Sequence, residues 1–206
     1  MKRLIALIMT LVLAATFISS CKKGEGEIEN YKYKETDEKT DYVCITMEDG
    51  GQILIQLRPD AAPVTVENFK ELVSQKFYDG LIFHRVIQGF MIQGGDPSGN
   101  GTGGSGKTIY GEYAANGYNN PLSHVRGTVS MARPSRDYNG ASSQFFICQE
   151  DYLSGDGQYA AFGTVIAGMD VVDRIASVPV DIIYNKPYED QKMEKVRFVN
   201  VTEKNN

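Results

Sequence analysis

The fold is decided by one stretch of sequence, Phe83-His84-Arg85-Val86-Ile87-Gln88-Gly89-Phe90-Met91-Ile92-Gln93-Gly94-Gly95-Asp96. It contains two apolar, β-prone runs that are separated at Gly89 and ended by a pair of glycines, a pattern typical of adjacent strands. A core strand seldom carries a fixed cation or an amide, because burying such a group without a partner is costly. We therefore interpret Arg85 and Gln93 as side chains that line a groove.

Strand patterns with glycine-rich turns recur through the rest of the chain. Residues 43–47 and 52–57 form a hairpin pattern, and Ile53, Ile55 and Leu57 share one face of its second strand. Further strands are expected at 81–87, 89–93, 127–132, 143–148, 160–166 and 194–202.

Two helices interrupt these strands. The first has Pro63 near its first position, and Val66, Phe69 and Val73 form its apolar stripe. The second is expected over residues 169–176. Because strands and helices do not alternate, a doubly wound parallel sheet is disfavoured. We predict a mainly β fold, a closed antiparallel β-barrel capped by two α-helices.

The first 20 residues have the pattern of a bacterial export signal. Lys2 and Arg3 precede an apolar run, which ends at Ile18-Ser19-Ser20-Cys21. This ending resembles a bacterial lipobox, which implies cleavage before Cys21 and lipidation of that residue. The lipid would anchor the protein without a transmembrane helix. The alternative is an ordinary secretory signal with an incidental cysteine.

The segment after Cys21 predicts a flexible tether. Residues 22–40 are rich in charge and glycine, and Ile28 is their one aliphatic residue, so they offer little surface to bury. The predicted organisation is a signal peptide over 1–20, a lipidated cysteine and tether over 21–41, and a folded domain over 42–206.

Composition excludes several kinds of protein. The formal net charge of −5 disfavours a nucleic-acid binder, which would show a basic face. With two histidines and no paired Cys-x-x-Cys spacing, the sequence predicts no metal site. Cys44 and Cys148 lie in apolar strand patterns, which favours two buried free thiols over a disulfide.

A phosphate-binding loop is the strongest competing interpretation. Residues 101–108 fit G-x-x-x-x-G-K-[ST], but this motif needs a helix directly after it. Residues 109–121 contain two glycines, three asparagines and a proline, which disfavour a helix. We therefore predict a long ordered loop and no nucleotide binding.

The groove residues suit prolyl isomerisation better than hydrolysis. A Ser-His-Asp triad would have to use His84 or His124, and no G-x-S-x-G elbow is present. Rotation about an X-Pro bond instead needs an apolar pocket, a fixed donor for the proline nitrogen, and groups that hold the backbone. Arg85 suits the donor role because it stays charged. The alternative places Arg85 on a solvated strand face.

Several motifs together resemble the cyclophilin family. They are the opening stretch and Gly101-Thr102-Gly103-Gly104, Ile109-Tyr110-Gly111-Glu112, Gly127-Thr128-Val129-Ser130-Met131-Ala132 and Ser143-Gln144-Phe145-Phe146-Ile147-Cys148. The resemblance covers about residues 42–202. It implies a closed eight-stranded antiparallel barrel with two helices, and peptidyl-prolyl cis-trans isomerase activity without metal, cofactor or covalent intermediate.

The resemblance also implies roles for individual residues. Arg85 is the catalytic donor, and Gln93 and Gln144 hold the substrate backbone. The implied proline pocket consists of Phe90, Met91, Phe146 and Leu153. The implied edges of the groove are Gly101, Thr102, Ala132 and Arg133.

Three positions depart from the best-known eukaryotic pattern. Tyr152, Tyr159 and Arg133 stand where tryptophan, histidine and asparagine are usual. We count both tyrosines among the substrate-binding residues. Arg133 suggests the further hypothesis that charge at the rim favours acidic substrate segments.

The sequence thus predicts a lipid-anchored prolyl isomerase of the bacterial envelope, acting as a monomer on proline-containing exported polypeptides. Its contact with the membrane would be through the lipid at Cys21 only. A binding module of the same fold, without catalysis, is the alternative from another functional class.

Overall fold

The structure is a computed structural model that describes residues 24–203, so the predicted signal and Cys21 lie outside the described residues. In this range no helix combines the length and apolar character needed to cross a membrane. The elements in chain order are β1 (Glu25–Ile28), β2 (Tyr31–Thr36), β3 (Tyr42–Met47), β4 (Gln52–Leu57), α1 (Pro63–Ser74), β5 (Arg85–Ile87), β6 (Met91–Gly94), β7 (Thr128–Met131), β8 (Phe145–Cys148), β9 (Ala161–Ala167), α2 (Met169–Ala176) and β10 (Met193–Glu203).

One sheet contains these ten strands in the order β1-β2-β10-β3-β4-β9-β7-β8-β6-β5. Neighbouring strands are antiparallel throughout, so the mainly β fold with two helices is confirmed. Between residues 24 and 203 no strand ladder joins β5 to the other end of the sheet. Ile82 and Lys192, which precede β5 and β10, make an isolated bridge. Closure of the barrel therefore stays a prediction.

Helix α1 covers the main core. Its stripe residues Val66, Phe69 and Val73 are buried. The centroid of the Phe69 ring lies 5.1–5.6 Å from the centroids of three other aromatic rings, those of Tyr78, Phe145 and Phe162. Such clusters contribute about 0.5–1.5 kcal/mol per ring pair beyond area burial.

The start of α1 is held by a residue from a distant loop. Pro63 occupies its first turn, as predicted, and the helix has no side-chain cap of its own. The buried carboxylate of Glu112 accepts hydrogen bonds from the Val64 N–H at 3.0 Å and the Thr65 N–H at 2.8 Å. An anion at this position satisfies free amides and complements the helix dipole.

The predicted flexible tether is wrong for the described residues of segment 22–40. Strand β1 pairs with β2, and β2 pairs with β10 over six residues. The Tyr33 side chain packs with Cys44 and Leu54 in a second apolar cluster, on the face of β3 and β4 opposite to the main core. Counting aliphatic residues overlooked the apolar area of the tyrosine rings.

Both described cysteines are buried free thiols, as the sequence favoured. Burial raises the pKa of the Cys44 thiol and of the Cys148 thiol to about 12. Each therefore behaves as a small apolar side chain and not as a nucleophile.

Candidate active site

Strands β5 and β6 bring Arg85 and Gln93 together. Their register places Arg85 opposite Gln93 and Ile87 opposite Met91. Side chains directly opposite in an antiparallel pair lie on one face. Arg85 Nη1 donates to Gln93 Oε1 at 3.1 Å and lies 3.9 Å from the Met91 sulfur.

A relay of hydrogen bonds continues from Arg85 across the groove. Gln93 Nε2 donates to Gln144 Oε1 at 2.9 Å. Gln144 Nε2 donates to the carbonyl oxygens of Gly103 at 2.8 Å and Gly101 at 3.1 Å. Because each amide uses both its donor and its acceptor, its orientation is fixed. Among the described residues, Arg85 Nε and Nη2 have no acceptor and remain available.

A pocket of about 130 Å³ with four aromatic side chains in its wall opens beside Arg85. Its lining residues are Arg85, Phe90, Met91, Gln93, Ala132, Arg133, Phe146, Tyr152 and Tyr159. The Met91 and Phe146 side chains are buried within it. The Phe90 ring meets the Tyr152 ring at 4.7 Å between centroids, and the Phe146 ring meets Tyr159 at 5.6 Å.

A second cavity of about 570 Å³ continues from this pocket. The two share Gln93, Ala132 and Arg133 in their walls. Gly101, Thr102 and Gln144 belong to the second cavity. The predicted groove is therefore a depression in two adjoining parts, one beside Arg85 that is walled by aromatic rings and one beside the glycine-rich loop.

The glycine-rich loop is organised by the carboxylate of Asp96. The Asp96 carboxylate accepts the backbone N–H groups of Ser98 at 2.7 Å, Asn100 at 3.0 Å and Gly101 at 2.5 Å. Gly101 has φ +89°, a left-handed conformation that favours glycine. The next helical segment is a 3-10 turn at Ala114–Asn116. The helix that a phosphate loop requires is thus not formed.

Arg133 is held in the groove wall by its own chain. Its guanidinium lies 5.0–5.1 Å from the centroids of three rings, those of Tyr113, Tyr138 and Tyr159. All of its terminal nitrogens donate to backbone carbonyls, those of Pro134, Ser135 and Gln158. These partners are all neutral, so the positive charge of Arg133 stays at the groove rim, and the hypothesis that it favours acidic substrate segments stays a prediction.

The expectation for Leu153 is corrected. Leu153, expected in the proline pocket, does not line it; the residue is 58% exposed because it begins a 3-10 turn at the surface. His84 is buried, and neither of its ring nitrogens has a hydrogen-bond partner within the described chain. Burial lowers the pKa of His84, so its ring is neutral near pH 7.

Sequence reasoning missed the part played by His124. Its ring stacks on the pocket residue Phe146 at 5.9 Å between centroids. No motif surrounds His124, and its partner Asp156 lies 32 positions away, so no local pattern indicated this placement. The described residues contain no cluster of three or more His, Cys, Asp or Glu side chains arranged for a metal ion.

Comparisons with known proteins agree on one family. The family model described as cyclophilin type peptidyl-prolyl cis-trans isomerase matches residues 42–198. The chain is 45% identical over 139 residues to peptidyl-prolyl cis-trans isomerase B of Bacillus subtilis, covering 68% of this chain and 92% of the relative. It is 44% identical over 151 residues to the peptidyl-prolyl cis-trans isomerase of Helicobacter pylori, covering 72% and 88%.

A solved structure gives the same result. The Cryptosporidium parvum cyclophilin type isomerase, crystallised in the presence of the dipeptide Ala-Pro, matches with a TM-score of 0.69 and 31% identity. The match covers 76% of this chain and 97% of that chain. The chain therefore belongs to the cyclophilin family of peptidyl-prolyl cis-trans isomerases. This membership confirms the predicted enzyme class.

Proposed function

We propose that this isomerase acts on proline-containing segments of exported polypeptides and that Arg85 is its catalytic donor. The main support for this role of Arg85 is the geometry around its guanidinium. Gln93 fixes the Arg85 guanidinium beside a pocket of about 130 Å³ that four aromatic side chains line, while Nε and Nη2 keep no acceptor among the described residues. Rotation about an X-Pro bond requires a pre-oriented donor of this kind beside a pocket that can take the proline ring.

The reaction needs resonance of the amide to be broken. The barrier to rotation is about 20 kcal/mol, because the nitrogen lone pair is shared with the carbonyl. In the twisted transition state this lone pair is localised on the proline nitrogen and accepts a hydrogen bond. An Arg85 N–H aimed at that nitrogen stabilises the twisted state more than the planar ground state, which is the condition for catalysis.

The pocket and the amides have separate tasks in this proposal. Met91, Phe146 and their aromatic neighbours bury the proline ring and exclude water, which strengthens the hydrogen bond from Arg85. Gln93 and Gln144 hold the flanking backbone so that only the X-Pro bond turns. The second cavity takes the adjacent residue of the substrate, along the loop that contains Gly101 and Thr102. One chain supplies all of these groups, so we expect a monomer to be active.

The location is proposed from the sequence of the N-terminus. Cleavage before Cys21 and its lipidation would place the enzyme in the bacterial cell envelope, where exported chains fold. Strand β1 begins at Glu25, so a lipid on Cys21 would be separated from the folded domain by residues 22–24. At about 3.5 Å per extended residue, this spacing holds the groove domain close to the membrane surface.

Catalysis and simple binding are distinguished by a protease-coupled isomerisation assay. The wild-type domain should accelerate cis-to-trans conversion of a proline-containing tetrapeptide. Arg85→Ala should bind the same peptide but lose the acceleration. Arg85→Lys should recover part of the acceleration because lysine keeps a charged N–H donor, and only part because it lacks the planar guanidinium fork. Equal rates for wild type and Arg85→Ala would leave only the binding-module alternative.

The anchor is tested separately by fractionation of cells that express the full chain. Wild-type protein should sediment with membranes and incorporate a radiolabelled fatty acid. Cys21→Ala should abolish labelling and release the protein. Retention of unlabelled protein on membranes by the Cys21→Ala variant would contradict lipid anchoring.

A further inference from the structure

Three side chains behind the proline pocket are joined by short hydrogen bonds. His124 Nδ1 lies 2.9 Å from Asp156 Oδ1, and His124 Nε2 lies 2.9 Å from Ser130 Oγ. The backbone N–H of His124 also donates to Asp156 Oδ1 at 2.6 Å. The arrangement resembles a Ser-His-Asp triad in its contacts, although its parts come from two loops and strand β7.

This set cannot act as a nucleophilic triad. His124 is 1% exposed and Ser130 is 0% exposed, so no substrate reaches the hydroxyl. Catalysis by such a serine requires contact with the substrate carbonyl. The hydrolase alternative is excluded for these residues, and the buried set needs another explanation.

The protonation states follow from the surroundings. Burial lowers the pKa of His124 and outweighs the opposing effect of Asp156. Burial would raise the pKa of Asp156, but the hydrogen bonds from His124 outweigh it and keep that pKa lowered. A neutral His124 therefore donates from Nδ1 to the carboxylate and accepts the Ser130 hydroxyl proton at Nε2. Each polar atom of the imidazole has a partner, which fixes the plane of the ring.

The fixed ring contacts much of the pocket wall. It stacks on Phe146 at 5.9 Å with an interplanar angle of 18°. It also makes edge-to-face contacts with the rings of Tyr152 and Tyr159, at 6.1 Å and 6.3 Å between ring centroids. The His124 carbonyl also accepts the Tyr152 backbone N–H at 2.6 Å, and Ser130 lies opposite Phe146 in the β7–β8 pair.

We propose that Asp156, His124 and Ser130 are positioning residues that set the shape of the proline pocket. They act through Phe146, Tyr152 and Tyr159 and touch no substrate. Four aromatic side chains line the pocket, and His124 contacts three of them. This inference rests on the proposed use of that pocket for the proline ring.

The test uses two pairs of variants in the full domain. Ser130→Ala removes the hydroxyl that orients the ring, and Thr128→Val removes a hydroxyl from the same strand that donates to the Ser123 carbonyl at 2.8 Å. Asp156→Ala removes the acceptor for both His124 N–H groups, whereas Asp156→Asn keeps an acceptor oxygen in place. Thr128→Val is the matched control for loss of one buried hydrogen bond.

We expect Ser130→Ala and Asp156→Ala to lower kcat/KM by about tenfold, which is about 1.4 kcal/mol of transition-state stabilisation. Thr128→Val should lower thermal stability to a similar extent and keep the wild-type kcat/KM. Asp156→Asn should restore most of the activity lost in Asp156→Ala. The ring-proton NMR shifts of Phe146 and Tyr152 should change in Ser130→Ala and Asp156→Ala and not in the control Thr128→Val.

The two proposals can fail independently. Arg85→Ala should leave the Phe146 and Tyr152 ring shifts unchanged, so a failed isomerase mechanism would not alter the result for the positioning residues. Wild-type ring shifts and kcat/KM in both Ser130→Ala and Asp156→Ala would overturn the inference. Loss of activity in Thr128→Val equal to that in Ser130→Ala would also overturn it, because the effect would then be general destabilisation.

Discussion

Arg85 Nη1 donates a hydrogen bond of 3.1 Å to Gln93 Oε1, across the short β5–β6 pair. This contact fixes the plane of the guanidinium, because the Gln93 amide is itself tied to Gln144. The cation is therefore oriented before any substrate arrives, and its Nε and Nη2 have no acceptor among the described residues. Preorganised donors of this kind cost little reorganisation during a reaction.

The orienting role of Gln93 gives the first prediction. Gln93→Ala removes the acceptor for Arg85 Nη1, so the guanidinium should sample several rotamers. We expect kcat to fall about tenfold, since a hydrogen bond to a charged group contributes about 1.5–3 kcal/mol. Gln93→Glu keeps an acceptor for Arg85 and should retain more activity than Gln93→Ala. Isomerase kinetics at saturating peptide would check this, and identical kcat values for the two variants would count against an orienting role.

Gln144 should affect binding more than turnover. Its amide donates to the Gly101 and Gly103 carbonyls and so holds the loop at the second cavity. Gln144→Ala should raise KM about fivefold, because one net hydrogen bond contributes about 1 kcal/mol. It should lower kcat less than Gln93→Ala does, because the direct bond from Arg85 to Gln93 remains. Peptide titration by NMR measures the affinity directly. A fall in kcat with unchanged affinity would reverse our assignment.

Stability should depend on pH through two buried histidines. Burial lowers the pKa of His84 and of His124 below the ordinary 6.5 in the folded state. Below pH 6.5 the unfolded chain binds protons that the folded chain excludes, so stability is lost as pH falls from 7 to 5. The loss is at most about 1.4 kcal/mol per pH unit for each histidine.

Urea unfolding at pH 7 and pH 5 measures this loss. The carboxylates of Asp96 and Asp156 do not confuse the result, since their pKa values are lowered below 3.8 and they titrate at more acidic pH. An equal free energy of unfolding at the two pH values would refute the assignment of neutral buried histidines.

The β1–β2 hairpin should stabilise the domain without serving the groove. Tyr33 is 6% exposed, and its hydroxyl accepts a hydrogen bond from Gln52. Tyr33→Ala should lower the free energy of unfolding by about 3 kcal/mol, as for other buried aromatic truncations, and keep kcat/KM. Tyr31→Ala, at a half-buried position of the same strand, should cost less. Equal stability of Tyr33→Ala and wild type would show that the hairpin does not dock in solution.

Local patterns predicted the elements that depend on local chemistry. Pro63 marked the start of α1, and the polar residues Arg85 and Gln93 within an apolar run indicated the strands that line the groove. The family motifs then supplied Phe146 and Tyr159, which line the pocket. These features could be predicted because the hydrophobic period, the turn residues and the family motifs can each be recognised within a short segment of the chain.

What could not be predicted depends on contacts between distant segments. Tyr33 becomes ordered because Cys44 and Leu54 present an apolar face that the main core does not cover. The Arg133 guanidinium is held in place by aromatic rings and a backbone carbonyl from three other segments of the chain. His124 and Asp156 meet only after the loops before β7 and β9 pack together. None of these partners can be identified from spacing along one strand or helix.

The central claim, that Arg85 acts on the twisted transition state, is tested most directly by exchange NMR. Cis–trans exchange rates of a proline peptide are measured at saturating wild-type and Arg85→Ala enzyme, together with peptide affinity from chemical-shift titration. The account predicts a fall of about 100-fold or more in the catalysed exchange rate, as for removal of other preorganised donors, with affinity nearly unchanged. An exchange rate in Arg85→Ala close to that of wild type would contradict it.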